Sequence, residues 1–285
     1  MEGDTEEVKL LWPLGHHYSP VPDTRRLARP GAQRRVWPPQ PYPTPGIDWR
    51  ERQQLALCAE VFAAQEPPRF PAGATTDETE YFQENGMFPA LDAVVLQAML
   101  RHLAPAHVVE VGCGYSTLVT AQVNRDFFGG AMRVTCIDPV IRHPLRNGVP
   151  GIGEMRAEEV QDTPLSIFAE LVAGDVLFVD TSHTVKTGGE VPWIYNQILP
   201  RLRPGVVVHL HDVFLPGDYP REWVLEGRAW NELYLLQSFL VFNSGFEVVL
   251  GVRWMMQNGR EVLSAAFPDL GPDSELAGSL WIRRV

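Results

Sequence analysis

The chain has only three cysteines, Cys58, Cys113 and Cys136, and they lie far apart. Neither a disulfide framework nor a cysteine metal motif is open to it, and a reducing cytosol is the simplest setting. It also lacks a surplus of basic charge: 24 Lys and Arg stand against 35 Asp and Glu, for a formal net charge of -11. General nucleic-acid binding, which needs clustered cations against phosphate, is not expected. No apolar run approaches the roughly 18 residues that span a bilayer. The acidic start, Met1 to Glu7, has no apolar centre of a signal peptide. No repeat of fixed period is visible. The expectation is a cytoplasmic protein with a small-molecule partner, without nucleic acid or membrane; a homo-oligomer stays open.

A length of 285 residues with 45% hydrophobic content allows one large domain or two small ones. Residues 1–46 differ from the rest. Nine prolines fall between Pro13 and Pro45, and Arg25, Arg26, Arg29, Arg34 and Arg35 cluster among them. Proline removes backbone donors, so an extended surface arm is expected. The alternative is a flap over an active site, with Tyr18, Trp37 or an arginine on the substrate. Residues 47–104 read as a helical extension. Ile47 to Gln65 has helical spacing with Asp48 as N-cap, and Glu66-Pro67-Pro68 stops it. Phe88 to Leu103 is strongly amphipathic.

From 105 to 285 the chain alternates between strand and helix. Strands are expected at His107–Gly112, Arg133–Asp138, Met155–Val160, Val176–Asp180, Val206–Asp212, Phe246–Val252 and Gly278–Arg283. Helices are expected at Tyr115–Arg125, Leu165–Leu171, Glu190–Leu202 and, as one long element, Glu222–Phe242. Repeated β-α units with apolar strands imply a mostly parallel sheet covered on both faces.

Ligands of such sheets bind beyond the carboxyl ends of the strands. The first strand ends in Glu110-Val-Gly-Cys-Gly-Tyr-Ser-Thr117: an acid, a tight glycine turn and a helix start. Glycine lets a ligand lie against the backbone, and the helix start offers free N–H groups. The third glycine of a dinucleotide fingerprint is replaced by Thr117. The second strand ends in Asp138-Pro139, at about the distance where an acid grips ribose hydroxyls. Gln161 or Asp162, after the third, could meet a base. The fourth ends in Asp180-Thr-Ser-His183 and the fifth in His211-Asp212. Two carboxylates suit a hard divalent ion such as Mg²⁺, which can lower the pKa of a bound hydroxyl. A neighbouring histidine can take the proton, and His183 is the expected base. His211 is expected as a ligand or an orienting group. A reading without metal, in which these side chains only cap and hydrogen-bond, stays open. In the loop after the fifth strand, Tyr219 and Trp223 could wall a substrate pocket.

The run Glu110 to Thr117 resembles the first motif of class I methyltransferases that use S-adenosylmethionine (SAM). The segments Asp175–His183, Leu199–Gly205 and His211–Trp223 look like the small-molecule members of that family in bacterial pathways. They are also similar to metal-dependent O-methyltransferases acting on catechols and macrolide sugars. Tyr18–Asp23 and Asn85–Phe88 look familiar from the same group. The resemblance covers roughly residues 80–250. It implies a Rossmann-like α/β fold with a mostly parallel seven-stranded sheet, and SAM over Gly112, Cys113, Gly114, Tyr115 and Ser116. Glu110, Asp138, Pro139, Gln161 and Asp180 would border the cofactor, and Asp138 would hold the ribose. It further implies Asp180 and Asp212 around Mg²⁺ or another divalent cation, with His211 beside them as this chain's own candidate ligand, and Asp180 with His183 as the catalytic pair. This chain has Val213 where the catechol group carries an amide residue. The expected reaction is methyl transfer to a hydroxyl. N-methylation, an NAD(P)-linked oxidoreductase and a non-catalytic partner subunit stand as alternatives.

Overall fold

The computed structural model describes residues 10–66, 69–268 and 275–285. The acidic start and the Pro67-Pro68 stop lie outside them. Among the described residues, seven strands form one sheet in the order β3-β2-β1-β4-β5-β7-β6. They are β1 (His107–Val111), β2 (Arg133–Ile137), β3 (Glu154–Arg156), β4 (Val176–Val179), β5 (Val207–Leu210), β6 (Phe246–Gly251) and β7 (Leu280–Arg284). The first five are parallel, and β7 runs antiparallel to both β5 and β6.

The central strands β1, β4 and β5 are short apolar runs, rich in valine, buried along their whole length, and their side chains alternate between two cores. Val108, Val134, Val176 and Phe178 enter one core, with Leu96, Met99 and Leu100 of the helix Ala90–Leu103. Val109, Leu177, Val179 and Val208 enter the other, with Ile194, Ile198 and Leu236. Chain order reverses between β1 and β4, which is where a crevice opens in sheets of this kind.

Several elements differ from expectation. The proline-rich arm is not simply extended: it contains helices Thr24–Leu27 and Pro30–Val36. Asp23 Oδ1 accepts the N–H groups of Arg25 and Arg26, and Pro30 takes the first helical position, where its missing N–H costs nothing. The next helix begins at Glu51 rather than Ile47, because Arg50 is left-handed (φ 49°) and Asp48 caps that turn by accepting the Arg50 N–H. The long helix expected over Glu222–Phe242 is two helices, Arg221–Glu226 and Glu232–Leu240. Gly227, at φ 102°, ends the first. Helices Val252–Asn258 and Arg260–Ala266 fill a stretch for which no element was expected. The fourth and fifth strands end early, so Asp180 and Asp212 stand just beyond the sheet. No helix among the described residues is long and apolar enough to cross a membrane.

Candidate active site

The turn after β1 is built around one glycine. Gly112 has φ 83°, and a Cβ there would lie 1.6 Å from the Asp180 carbonyl oxygen. Only glycine allows the ends of β1 and β4 to touch in this way. The Gly112 N–H donates to the Ile137 carbonyl (2.9 Å). Cys113 N–H donates to Asp138 Oδ2 (2.9 Å) and Val140 N–H to Asp138 Oδ1 (2.7 Å), so the turn and the end of β2 share one carboxylate.

Glu110 does not face this opening. It is fully buried, and its Oε1 accepts the hydroxyls of Ser116 (2.6 Å) and Thr117 (3.0 Å). Burial pushes its pKa up to about 8, against the pull of those two hydroxyls. Glu110 braces the turn from inside instead of meeting a ligand, and Ser116 is committed to it. Thr117 also accepts the Gly114 N–H (3.0 Å), so the residue in place of a third glycine knits the loop to its helix.

Two cavities meet over this turn, and both are lined by Gly112, Asp138 and Asp180. The larger, about 420 Å³, runs past Pro139, Gln161 and Ser182 to Lys186 and Glu190. The smaller, about 310 Å³, lies over Cys113, Gly114, Tyr115 and Ser116 and reaches Phe88 and Arg142. Tyr115 is held edge-on to Phe82 (5.5 Å between centroids). Gln161 Nε2 donates to the Gly188 carbonyl (3.0 Å), and its buried Oε1 has no partner among the described residues. Asp162 is exposed and lines neither cavity.

Beside this junction Asp180, His183 and Asp212 converge. His183 Nε2 lies 3.2 Å from Asp180 Oδ1 and 3.3 Å from Asp212 Oδ2. Its Nδ1 lies 3.0 Å from Glu232 Oε2. Burial works against a charge on this ring, yet its bonds to Asp180 and Glu232 outweigh burial and hold its pKa well above the ordinary value. Both ring nitrogens of His183, the residue expected as the base, are thus within reach of carboxylates. Asp180 is the member that borders both cavities, its side chain 30% exposed against 5% for His183.

His211 is not in the trio. The trio's ligand atoms lie within 4.8 Å of one another, and His183 takes the place expected for His211. His211 packs behind Asp212 against Phe88, its Nε2 3.8 Å from Asp212 Oδ1. Asp212 adopts φ 53°, which turns the chain so that the acid reaches the cluster and the histidine stays in the core.

The expected substrate residues are elsewhere. Tyr18 is exposed in a ring cluster with Trp12, His16 and His17. Tyr219 is buried, its hydroxyl accepting the Leu233 N–H (2.9 Å). Trp223 packs on Phe214 and Trp230 under the Arg228 guanidinium (4.4 Å). None of the three lines either cavity. The arm nonetheless reaches this region, for Trp37 Nε1 donates to the Tyr219 carbonyl (2.8 Å). Sequence reasoning missed the segment after the helix break. There Trp230 lies 4.6 Å from the His183 ring, and the Asn231 and Glu232 N–H groups donate to the His183 carbonyl. The glycine at 227 was the available signal, since it separates this segment from the helix before it.

Residues 109–213 match a family described as a methyltransferase domain. A protein of Archaeoglobus fulgidus, described only as uncharacterized, is 28% identical over 179 residues, covering 60% of this chain and 78% of its own. Among solved structures, the SAH-bound methyltransferase PaMTH1 of Podospora anserina is 16% identical with a TM-score of 0.41, covering 68% of this chain and 77% of that one. The O-methyltransferase TomG of Streptomyces achromogenes, involved in tomaymycin synthesis and solved with SAM, is 14% identical with a TM-score of 0.41, covering 84% and 92%. The matched segment begins in β1, ends just past Asp212 and contains the glycine turn, the acid after β2 and both acids of the cluster. Over residues 109–213, then, the chain is similar to a methyltransferase domain, carried on the parallel part of the seven-stranded sheet found among the described residues.

Proposed function

We propose that this chain transfers the methyl group of SAM to a hydroxyl of a small molecule. The observation that carries the reading is the meeting of two cavities at Gly112, Asp138 and Asp180. A nucleoside fits that junction. Gly112 lets the turn close on the Asp180 carbonyl, Asp138 is oriented by two N–H groups, and the buried Gln161 Oε1 has no protein partner among the described residues. SAM, when bound, supplies a methyl group on a sulfonium, which needs no activation of its own.

The protein's part is to orient the acceptor and remove its proton. Asp138 holds the ribose hydroxyls, and Gln161 meets the edge of the base. Asp180, bordering both cavities, accepts the hydroxyl proton while the acceptor oxygen is aligned with the methyl carbon; positioning of this kind supplies much of the rate. His183 fixes the Asp180 carboxylate through its Nε2 (3.2 Å). Asp180, His183 and Asp212 are also a donor set suited to a divalent cation, which would lower the pKa of the acceptor hydroxyl. Residues 105–285 act as the catalytic unit, with 47–104 as its cover and the arm attached through Trp37. The acceptor is a free small molecule in the cytoplasm, since the acidic chain has little to offer phosphate backbones.

Calorimetry tests the cofactor assignment. SAM should bind the full chain with one-site heat, and Asp138→Ala should lose at least ten-fold in affinity; absence of heat at millimolar SAM would sink the proposal. Release of SAH across a panel of hydroxylated small molecules tests the reaction. Asp180→Asn should keep SAM binding and lose turnover.

A further inference from the structure

The proline-rich arm differs in charge and exposure from the rest of the chain. Residues 10–46 carry five arginines and a single acid, Asp23, whereas residues 47–285 carry 30 Asp and Glu against 18 Lys and Arg. All five arginines of the arm are exposed, and among the described residues only Arg25 of the five has an ion pair, with Asp23 (3.5 Å). Leu10, Leu11, Trp12, Leu14 and Tyr18 are exposed as well, Leu11 at 84%. These apolar side chains and the arginines belong to one folded unit. Trp12 stacks on His16 (4.7 Å), Gly15 N–H donates to the Val21 carbonyl (3.2 Å), and Gly15 lies against Asp23, which caps the first helix. Apolar side chains gathered on a surface mark a place of contact with a partner. An anionic bilayer would attract this arm but repel the acidic remainder. A second copy of the chain offers that same remainder as the complement of the arm.

One stretch matches the arm in both charge and exposure. Residues 75–87 hold Asp77, Glu78, Glu80 and Glu84, with no Lys or Arg among them. Of these four acids only Glu78 has an ion pair among the described residues, with His143 (3.3 Å). Met87 closes the stretch at 72% exposure, its N–H held by Asn85 Oδ1 (2.9 Å). Met87, His143 and the exposed Val140 all line the smaller cavity, so this is an acidic, partly apolar rim at its mouth. The arm of the same chain does not cover it. Trp37 is bound to the Tyr219 carbonyl, the helix Thr24–Leu27 lies against Arg221–Glu226, and no residue of the arm lines either cavity over the glycine turn.

We propose that the chain forms a two-fold dimer in which the arm of each copy lies across residues 75–87 of the other, its arginines on the acids and its leucines and Trp12 on Met87 and Val140. In such a pair each copy gives an arm and receives one, so the contact is made twice. The partner copy thereby closes the smaller cavity and keeps water from the methyl-transfer site. This deepens the reading of the site given above and rests on it.

Light scattering on the full chain should give the mass of a dimer, weakened several-fold by 0.5 M salt. An arm variant, Arg25→Glu with Arg26→Glu and Arg29→Glu, and a rim variant, Glu78→Lys with Glu84→Lys, should each raise the dimer dissociation constant at least ten-fold. Mixing the two should restore the dimer, because each reversed element then meets an opposite charge on the other copy. Circular dichroism confirms that both variants are folded. Hydrogen exchange over 75–87 should be slower in the dimer than in either variant alone. A monomeric full chain, a dimer indifferent to both variants, no recovery on mixing, or unprotected 75–87 in the dimer would overturn the proposal. So would a monomer that sediments with phosphatidylserine vesicles. A dimer that gives no SAM heat would instead count against the cofactor assignment alone.

Discussion

Single residues set the chemistry. Gly112 touches the Asp180 carbonyl, so Gly112→Ala must push β1 and β4 apart. It should abolish SAM heat and lower the melting temperature, while Gly114→Ala, with open space around its Cβ position, should do far less. Glu110→Gln keeps an oxygen for Ser116 and Thr117 but removes a buried carboxyl whose pKa is about 8. At this scale much of the site was legible. Glycine spacing and acids at strand ends marked Gly112, Asp138, Asp180 and Asp212, because parallel strands deliver their last residues to one edge. Glu110 was misread because the strand carries it inward, where two hydroxyls of the following helix claim it. Glu232 left no readable signal: it meets His183 from 49 positions away, and only the folded loop brings them together.

Among elements, the segment between the two helices after β5 matters most. It was hidden because the apolar spacing of Glu222–Phe242 continues across Gly227 as though one helix ran through. The break frees Asn231 to hold Val185, at the start of a loop whose Lys186, Gly188 and Gly189 line the larger cavity. Asn231→Ala strands that N–H at a cost of about 1–3 kcal/mol. Faster hydrogen exchange over 183–189 and several-fold weaker SAM binding are the expected outcomes, with β1 and β2 exchange unchanged. The arm was read as extended because prolines were counted without their places: Pro30 at a first helical position starts a helix instead of breaking one.

For the whole molecule, two buried groups bound the pH range of stability from opposite sides. Glu110 has a raised pKa, so its contribution is complete below the usual carboxyl value of 4.5 and is lost as pH climbs to about 8. His209 is stacked on Phe178 and edge-on to Trp281, with neither ring nitrogen paired among the described residues, and burial holds its pKa well below 6.5. Its contribution is complete above 6.5 and fades as the solution becomes more acidic. Melting temperature should peak between these limits. Glu110→Gln should flatten the alkaline side of that curve and His209→Phe part of the acidic side; unchanged curves would refute both assignments. Finally, β6 joins the sheet only through β7, which is made later and inserts between it and β5. During synthesis the flank of β5 must therefore wait, uncovered, until residues 280–284 leave the ribosome, and in that interval the nascent chain offers a ready seam for wrong pairing.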